Sequence, residues 1–293
     1  MAAVFRARSA VQRLAFLPAC AAFLALFWPT FQWMADRFDA PDSFYSHGWL
    51  VPLAGAWLVW QRRDALSRAA LSPSYRGLLL LVPAVTLHFL AVWSRLHVLS
   101  GLMCLAAVWG LVWTFWGGEA VRALRFPLAF LLFMVPLPSV LLLGASFYLK
   151  LAAAWLATGA LHFAGIPAIQ EGSLIRLPHL TMLIDDACSG LRSLLSLVAL
   201  ATLWTSLLPA CPAGAAGRPV ATARWKKFVV VAASLPISLA ANMVRILVLT
   251  AIALLWGRAA AEGFLHYGSG LVVFGIALAA LAWLGRVLTG ASR

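Results

Sequence analysis

The chain is a succession of apolar runs, many of them about as long as a bilayer is thick, separated by short polar loops. In hydrocarbon no water is available to the backbone, so every N–H and C=O must be satisfied inside the protein, and such runs fold as helices. A crossing needs roughly 20 mostly apolar residues. The mean hydropathy is +0.93 and only 11% of residues are charged, against about a quarter in soluble domains. The pattern predicts an all-α integral membrane protein with about eight transmembrane helices, at 14–33, 47–61, 77–93, 98–116, 126–143, 188–208, 228–255 and 268–285. The longest polar stretches are about 20 residues, too short to build a second core. Residues 1–293 are therefore expected to form a single polytopic membrane domain.

Several classes are excluded at this stage. A net charge of +13 suggests nucleic acid, but the basic residues lie in short loops between spans and no nucleic-acid motif is present. They read as the positive-inside bias of a membrane protein. Arg6, Arg8 and Arg13 precede the apolar run Leu14 to Trp33. That run is as long as a span and no small-residue cleavage site follows it, so it reads as a first helix and not a cleaved signal peptide. No His-Glu-x-x-His or similar ligand spacing occurs, so neither a metal nor any other cofactor is expected.

Charge also sets an orientation. With the N-terminus in the cytoplasm, fifteen basic residues fall in cytoplasmic segments and four (Arg37, Arg95, Arg176 and Arg258) fall outside. Such an asymmetry predicts both termini in the cytoplasm. It requires that 126–165 cross once, although this stretch, interrupted by Pro136-Leu137-Pro138, is long enough for two spans. With one crossing, the part carrying Lys150, Trp155 and His162 would lie along the outer interface. Residues 166–187 partly alternate, as in Ser173-Leu174-Ile175-Arg176-Leu177, which suggests a small hairpin outside the membrane. Residues 211–222, rich in Ala, Gly and Pro, read as a cytoplasmic loop.

This topology brings three chemistry-bearing residues to the outer face. Cys188 is expected to begin the sixth helix, at the positive end of the helix and beside cations, where thiolate is favoured over thiol. Cys20 and Cys104 read as packing residues and Cys211 as a loop residue, so Cys188 has no partner for a disulfide in the chain. Its other reading is a small packing residue. Arg245 lies 17 residues (245 − 228) beyond Phe228 in an apolar helix, or about 25 Å across. A charge there costs several kcal/mol unless it is paired or hydrated. It either snorkels to the outer headgroups or serves as a fixed cation for a thiolate or oxyanion. Asn242, three residues earlier, shares its face. His266, just before the last expected helix, is either an interfacial anchor or, beside a thiol, a general base. Asp185 and Asp186 either orient His266, pair with Arg192 or Arg245, or form a solvated loop end. Arg192, four residues after Cys188, is a second cation for the site or a packing charge. Ser189-Gly190 allows close backbone approach beside the thiol.

The segments Ala187-Cys188-Ser189-Gly190-Leu191-Arg192-Ser193, Asn242-x-x-Arg245-Ile246 and His266-Tyr267-Gly268-Ser269-Gly270 resemble, in order and spacing, the three signatures of the exosortase/archaeosortase family. Phe126-Pro127 and Val135-Pro136-Leu137-Pro138 resemble that family's Pro-containing stretch. The similarity runs from about residue 40 to 285, and its specific weight rests on the Cys and Arg motifs. The histidine at the third position is similar to the bacterial exosortase branch, and the chain is expected to lack the extra C-terminal soluble domain that some members carry.

The resemblance implies a cysteine transpeptidase of the bacterial inner membrane, with its active site facing the periplasm. It implies Cys188 as nucleophile, Arg245 as holder of the oxyanion or of the signal's glutamate, and His266 as proton carrier. The implied partners are exported proteins with a C-terminal sorting signal, made of a Pro-Glu-Pro-type motif, a helix and a basic tail. The envelope acceptor stays open. Membrane lipids are the other expected contact, and nucleic acid is not. A different class, a transporter or lipid-linked glycan-handling protein, would use Arg245 and Arg192 as an anion clamp. The orientation has a direct test. With cysteines introduced at Gly172 and Gly214, a membrane-impermeant thiol reagent should label the first and not the second in intact cells. The reverse pattern would invert the topology.

Overall fold

The computed structural model describes residues 15–41, 43–69, 72–178, 180–184, 189–207, 222–257 and 264–289, with side chains throughout except at 222–224, 264–267 and 289. The chain divides into two compact units, Met1–Pro138 and Ser139–Arg293. Among the described residues, five helices are long and apolar enough to cross a membrane, or six if one bent pair is a single span. This is a mostly helical membrane protein.

In the first unit the expected span 14–33 is broken. α1 (Ala15–Leu26) and α2 (Trp28–Asp39) meet at Phe27 with a bend of 57°. Pro29 stands at the start of α2, where its missing N–H and its ring prevent the helix from running through. The Thr30 N–H bonds back to Phe27, which leaves the Leu26 carbonyl to find another donor. His88 supplies it. Its Nε2 lies 3.1 Å from that carbonyl and its Nδ1 2.8 Å from Ser100 Oγ, which in turn lies 2.5 Å from Thr30 Oγ1. A carbonyl only accepts, so Nε2 carries a proton and donates to it. Phe27, Ala84, Cys104 and Ala107 close an apolar cluster around this network, which gives Cys104 the packing role expected of it.

A 3-10 turn, Ser46–Trp49, leads into α3 (Leu50–Gln61), followed by the short α4 (Arg63–Arg68). α3 has only 12 residues and by itself is short for a crossing. α5 (Leu78–Trp93) begins at a second 3-10 turn, Tyr75–Gly77. α6 (His97–Phe130) is two helices merged across Gly117, whose φ is 86° and ψ −178°. The predicted span end at 116 falls at this break. A Cβ on Gly117 would lie 2.0 Å from the Ser72 carbonyl oxygen, and one on Gly77 would lie 2.4 Å from the Thr114 nitrogen. The chain before α5 therefore lies hard against the α6 break.

The expected span 126–143 needs correction. Residues 126–130 finish α6, a 3-10 turn runs from Leu131 to Met134, and 136–138 have no regular structure. Pro136 and Pro138 each lack an N–H and push the preceding residue out of the helical region. α7 (Ser139–Phe163) then runs unbroken for 25 residues. Residues 144–163 are thus continuous with 139–143 in a helix of spanning length, not a separate interfacial segment.

In the second unit α7 leads to a three-stranded antiparallel sheet, β1 (Ile169–Glu171), β2 (Leu174–Leu177) and β3 (Leu180–Leu183), in that order. The expected hairpin is present and gains a third strand. Gly172 takes φ 63° in the two-residue turn between paired Glu171 and Leu174, as the first position of a type II′ turn requires. Ile175 and Leu177 bury one face against Ala153, Ala154, Ala157 and Leu161 of α7 and against Ile246. On the other face Arg176 pairs with Glu171 at 2.8 Å.

α8 (Leu191–Leu207), α9 (Thr222–Trp256) and α10 (Phe264–Thr289) complete the unit around Leu197, Ala201, Val230, Ala277 and Leu281. α8 has 17 residues and starts at Leu191, not 188; α9 and α10 run past the expected 228–255 and 268–285 at both ends.

Two glycines give a paired test of this packing. Gly117→Ala should destabilise the protein by about 2 kcal/mol or more, because positive φ and a backbone clash add. Gly144 in α7 has nothing within 4 Å of a built Cβ, so Gly144→Ala should be neutral or stabilise by up to about 1 kcal/mol. Thermal midpoints in detergent would check both, and equal effects would refute the assigned contacts.

Candidate active site

α9 organises the site. Ser234, Ser238 and Asn242 recur every four residues, all nearly inaccessible in a mostly apolar helix, so they form one stripe. Ile246 and Thr250 extend that stripe by two more turns. Three described residues between the start of β3 and α8 meet it. Met182 Sδ is 3.1 Å from Thr250 Oγ1, Ile184 shares a core cluster with Ile246, and Gly190 lies against Asn242.

Gly190 makes the last of these contacts, at the turn into α8. Its φ is 78°, and a Cβ there would meet Asn242 Cβ and Cγ at 3.2 Å. A residue with positive φ does not continue a right-handed helix, so α8 begins only after it. The Gly190 carbonyl accepts the Leu194 N–H at 2.9 Å and the Ser193 hydroxyl at 2.8 Å. Ser238 Oγ lies 3.4 Å from the same oxygen and 3.2 Å from Ser193 Oγ. Ser189, fully buried, accepts the Leu191 N–H at 3.3 Å through its hydroxyl. The turn before α8 is thereby tied to α9 by hydroxyl groups as well as by shape.

Arg245, on the turn after Asn242, lines a small cavity of about 40 Å³ together with Ser193, Asn242, Gly270 and Phe274. This volume holds two or three water-sized groups. A Cβ on Gly270 would meet the Arg245 guanidinium carbon at 3.5 Å, so α10 passes at contact distance from the cation. Arg245 and Asn242 do share a face, as their spacing predicted.

The remaining expected site residues fare differently. Cys188, Asp185 and Asp186 lie outside the described residues, as does the side chain of His266. The backbone of His266 falls within the first turn of α10, which starts at Phe264, not before the helix. It is one turn before Gly270, the residue against Arg245. Arg192 is the second residue of α8 and is not among the cavity's lining. Its expected relation to Cys188 involves a residue outside the described ones; Gly190, just before α8, has a positive φ. Ser193 and Ser238 were not singled out from sequence. The signal for Ser238 was present, in hydroxyl and amide side chains every fourth residue along an apolar helix.

The family model described as Transmembrane exosortase (Exosortase_EpsH) matches residues 33–283. The chain belongs to the transmembrane exosortase family. No curated protein and no solved structure matches it. The matched range takes in the Gly190 turn, Arg245 and Gly270 around the cavity.

Gly190→Ala should lower stability by about 1–2 kcal/mol through strained φ. Adding Asn242→Ala should recover only the share due to side-chain contact. Full recovery in the double variant, read from thermal midpoints, would show that φ at Gly190 is not constrained.

Proposed function

We propose that the chain is a membrane-embedded cysteine transpeptidase that cleaves a C-terminal, Pro-Glu-Pro-type sorting signal of exported proteins. The observation that carries this reading is the convergence at Arg245. The Gly190 turn, two residues after Cys188, packs on Asn242, and the α10 turn following His266 packs on the guanidinium itself. Membership of the transmembrane exosortase family supports it.

The thiolate of Cys188 attacks the scissile carbonyl, forming a C–S bond. Arg245 takes the charge that develops on the carbonyl oxygen, in a cavity where only a few water-sized groups fit. The C–N bond breaks as His266 gives its proton to the leaving amine. An envelope nucleophile then gives its proton to His266 and attacks the thioester, which joins it to the exported protein and releases the thiolate. Ser193 and Ser238 act as positioning residues, since they hold the Gly190 carbonyl. The site faces the periplasm of a bacterial inner membrane and both termini are cytoplasmic. The charge asymmetry behind this orientation is kept when α7 is the single crossing between Arg125 and Glu171.

Cys188→Ala should lower processing on the order of 10³-fold or more, and a thioester-linked substrate should be trapped only with the intact thiol. Arg245→Lys keeps the charge but loses the planar fork, and should still cost about tenfold or more. His266→Ala should slow acylation, with partial recovery at higher pH where thiolate forms unaided. Normal processing by Cys188→Ala would end this reading.

A further inference from the structure

β3 is an edge of its sheet. The Ile184 N–H donates to the Ser173 carbonyl, and this fixes the alternation along the strand. Leu180 and Met182 exchange hydrogen bonds with their partners Leu177 and Ile175 on β2. The N–H and C=O groups of Thr181 and Leu183 therefore point away from the sheet. Among the described residues no hydrogen bond covers them. Both side chains are exposed, and Leu183, at 62%, is an apolar residue standing open at this edge.

The position of this edge gives it a use. Met182 touches Thr250 and Gly190 lies against Asn242, two points eight residues or about 12 Å apart along α9. Arg245 lies within that interval. A polypeptide laid along β3 is thus led to the level of the guanidinium and its cavity. Exposed strand edges are templates for a further strand, and addition of an extended peptide to one is an established mode of recognition.

We propose that the free edge of β3 docks an extended segment of the substrate polypeptide, paired backbone to backbone with Thr181 and Leu183, so that its scissile carbonyl reaches Arg245. The proposal rests on the transpeptidase reading above. The occupant is the substrate and not a second copy of this chain, because Ile184, just past the end of β3, packs with Ile246, the residue next to Arg245. Pairing through the backbone tolerates varied sequence, while Leu183 offers one apolar contact.

The test uses the full-length enzyme in detergent or nanodiscs. Thr181→Cys is placed in a Cys188→Ala background with Cys20, Cys104 and Cys211 replaced by serine. A sorting-signal substrate carries a single cysteine moved one residue at a time. A short bifunctional thiol reagent should join the two at alternate substrate positions, because side chains on a strand alternate with a period of two. Uniform cross-linking, none, or cross-links only between enzyme copies would overturn the proposal. In the wild-type background, Leu183→Pro removes an N–H that faces away from the ladder, a position where proline is tolerated in an edge strand. It should raise KM about tenfold through lost pairing, with an unchanged thermal midpoint, whereas Leu183→Ala should keep the KM within a few-fold. Normal KM in Leu183→Pro, with Cys188→Ala inactive, would refute the docking edge and leave the transpeptidase standing. Activity in Cys188→Ala would remove the reading underneath it. If Leu183→Pro does not fold, the cross-linking pattern decides.

Discussion

Backbone that leaves the helix in so apolar a chain must find hydrogen-bond partners within the protein, because hydrocarbon offers none. Several local features follow from this need. Where α1 stops at Leu26, ahead of Pro29, the freed Leu26 carbonyl is met by His88, and Ser100 and Thr30 complete that network. Where the chain turns at Gly190 into α8, the carbonyl takes the Leu194 N–H, and Ser193 and Ser238 add hydroxyl contacts to it. Each break is a place where the chain gains freedom of shape, and each is repaired by a small number of side chains. An unpaired carbonyl there would cost about 1–3 kcal/mol.

The second unit uses one helix face as its reference. The α9 stripe from Asn242 to Thr250 receives the Gly190 turn, Ile184 and Met182 in succession. Close approach is possible because small residues stand where surfaces meet. Gly190 admits Asn242, Gly270 admits the Arg245 guanidinium, and Ala153, Ala154 and Ala157 admit the sheet. A cation in an apolar helix is tolerable only with such company, since its cost at the centre of a bilayer is about 3 kcal/mol on insertion scales. Ser193 and Asn242 are the polar side chains that line the same cavity as Arg245.

Much of this was legible in the chain itself. The apolar runs determined a helical membrane protein, because length and hydropathy depend only on local sequence. The break in α6 next to residue 116, the packing role of Cys104 and the shared face of Asn242 and Arg245 follow from local pattern and helical periodicity. The motifs around Arg245 and Gly190 pointed to the family that the comparison then found. Tertiary structure decided the rest. Apolar length does not reveal whether Pro29 bends a helix or ends it, since the answer depends on His88 reaching Leu26 from 62 residues away. Nor does it place the break after α6 at 135–138 in preference to 143. Whether α8 starts at Cys188 or after Gly190 depends on Asn242 filling the space beside that glycine. Periodicity records which way a side chain points on its own helix; which other chain segment it meets is fixed only by packing.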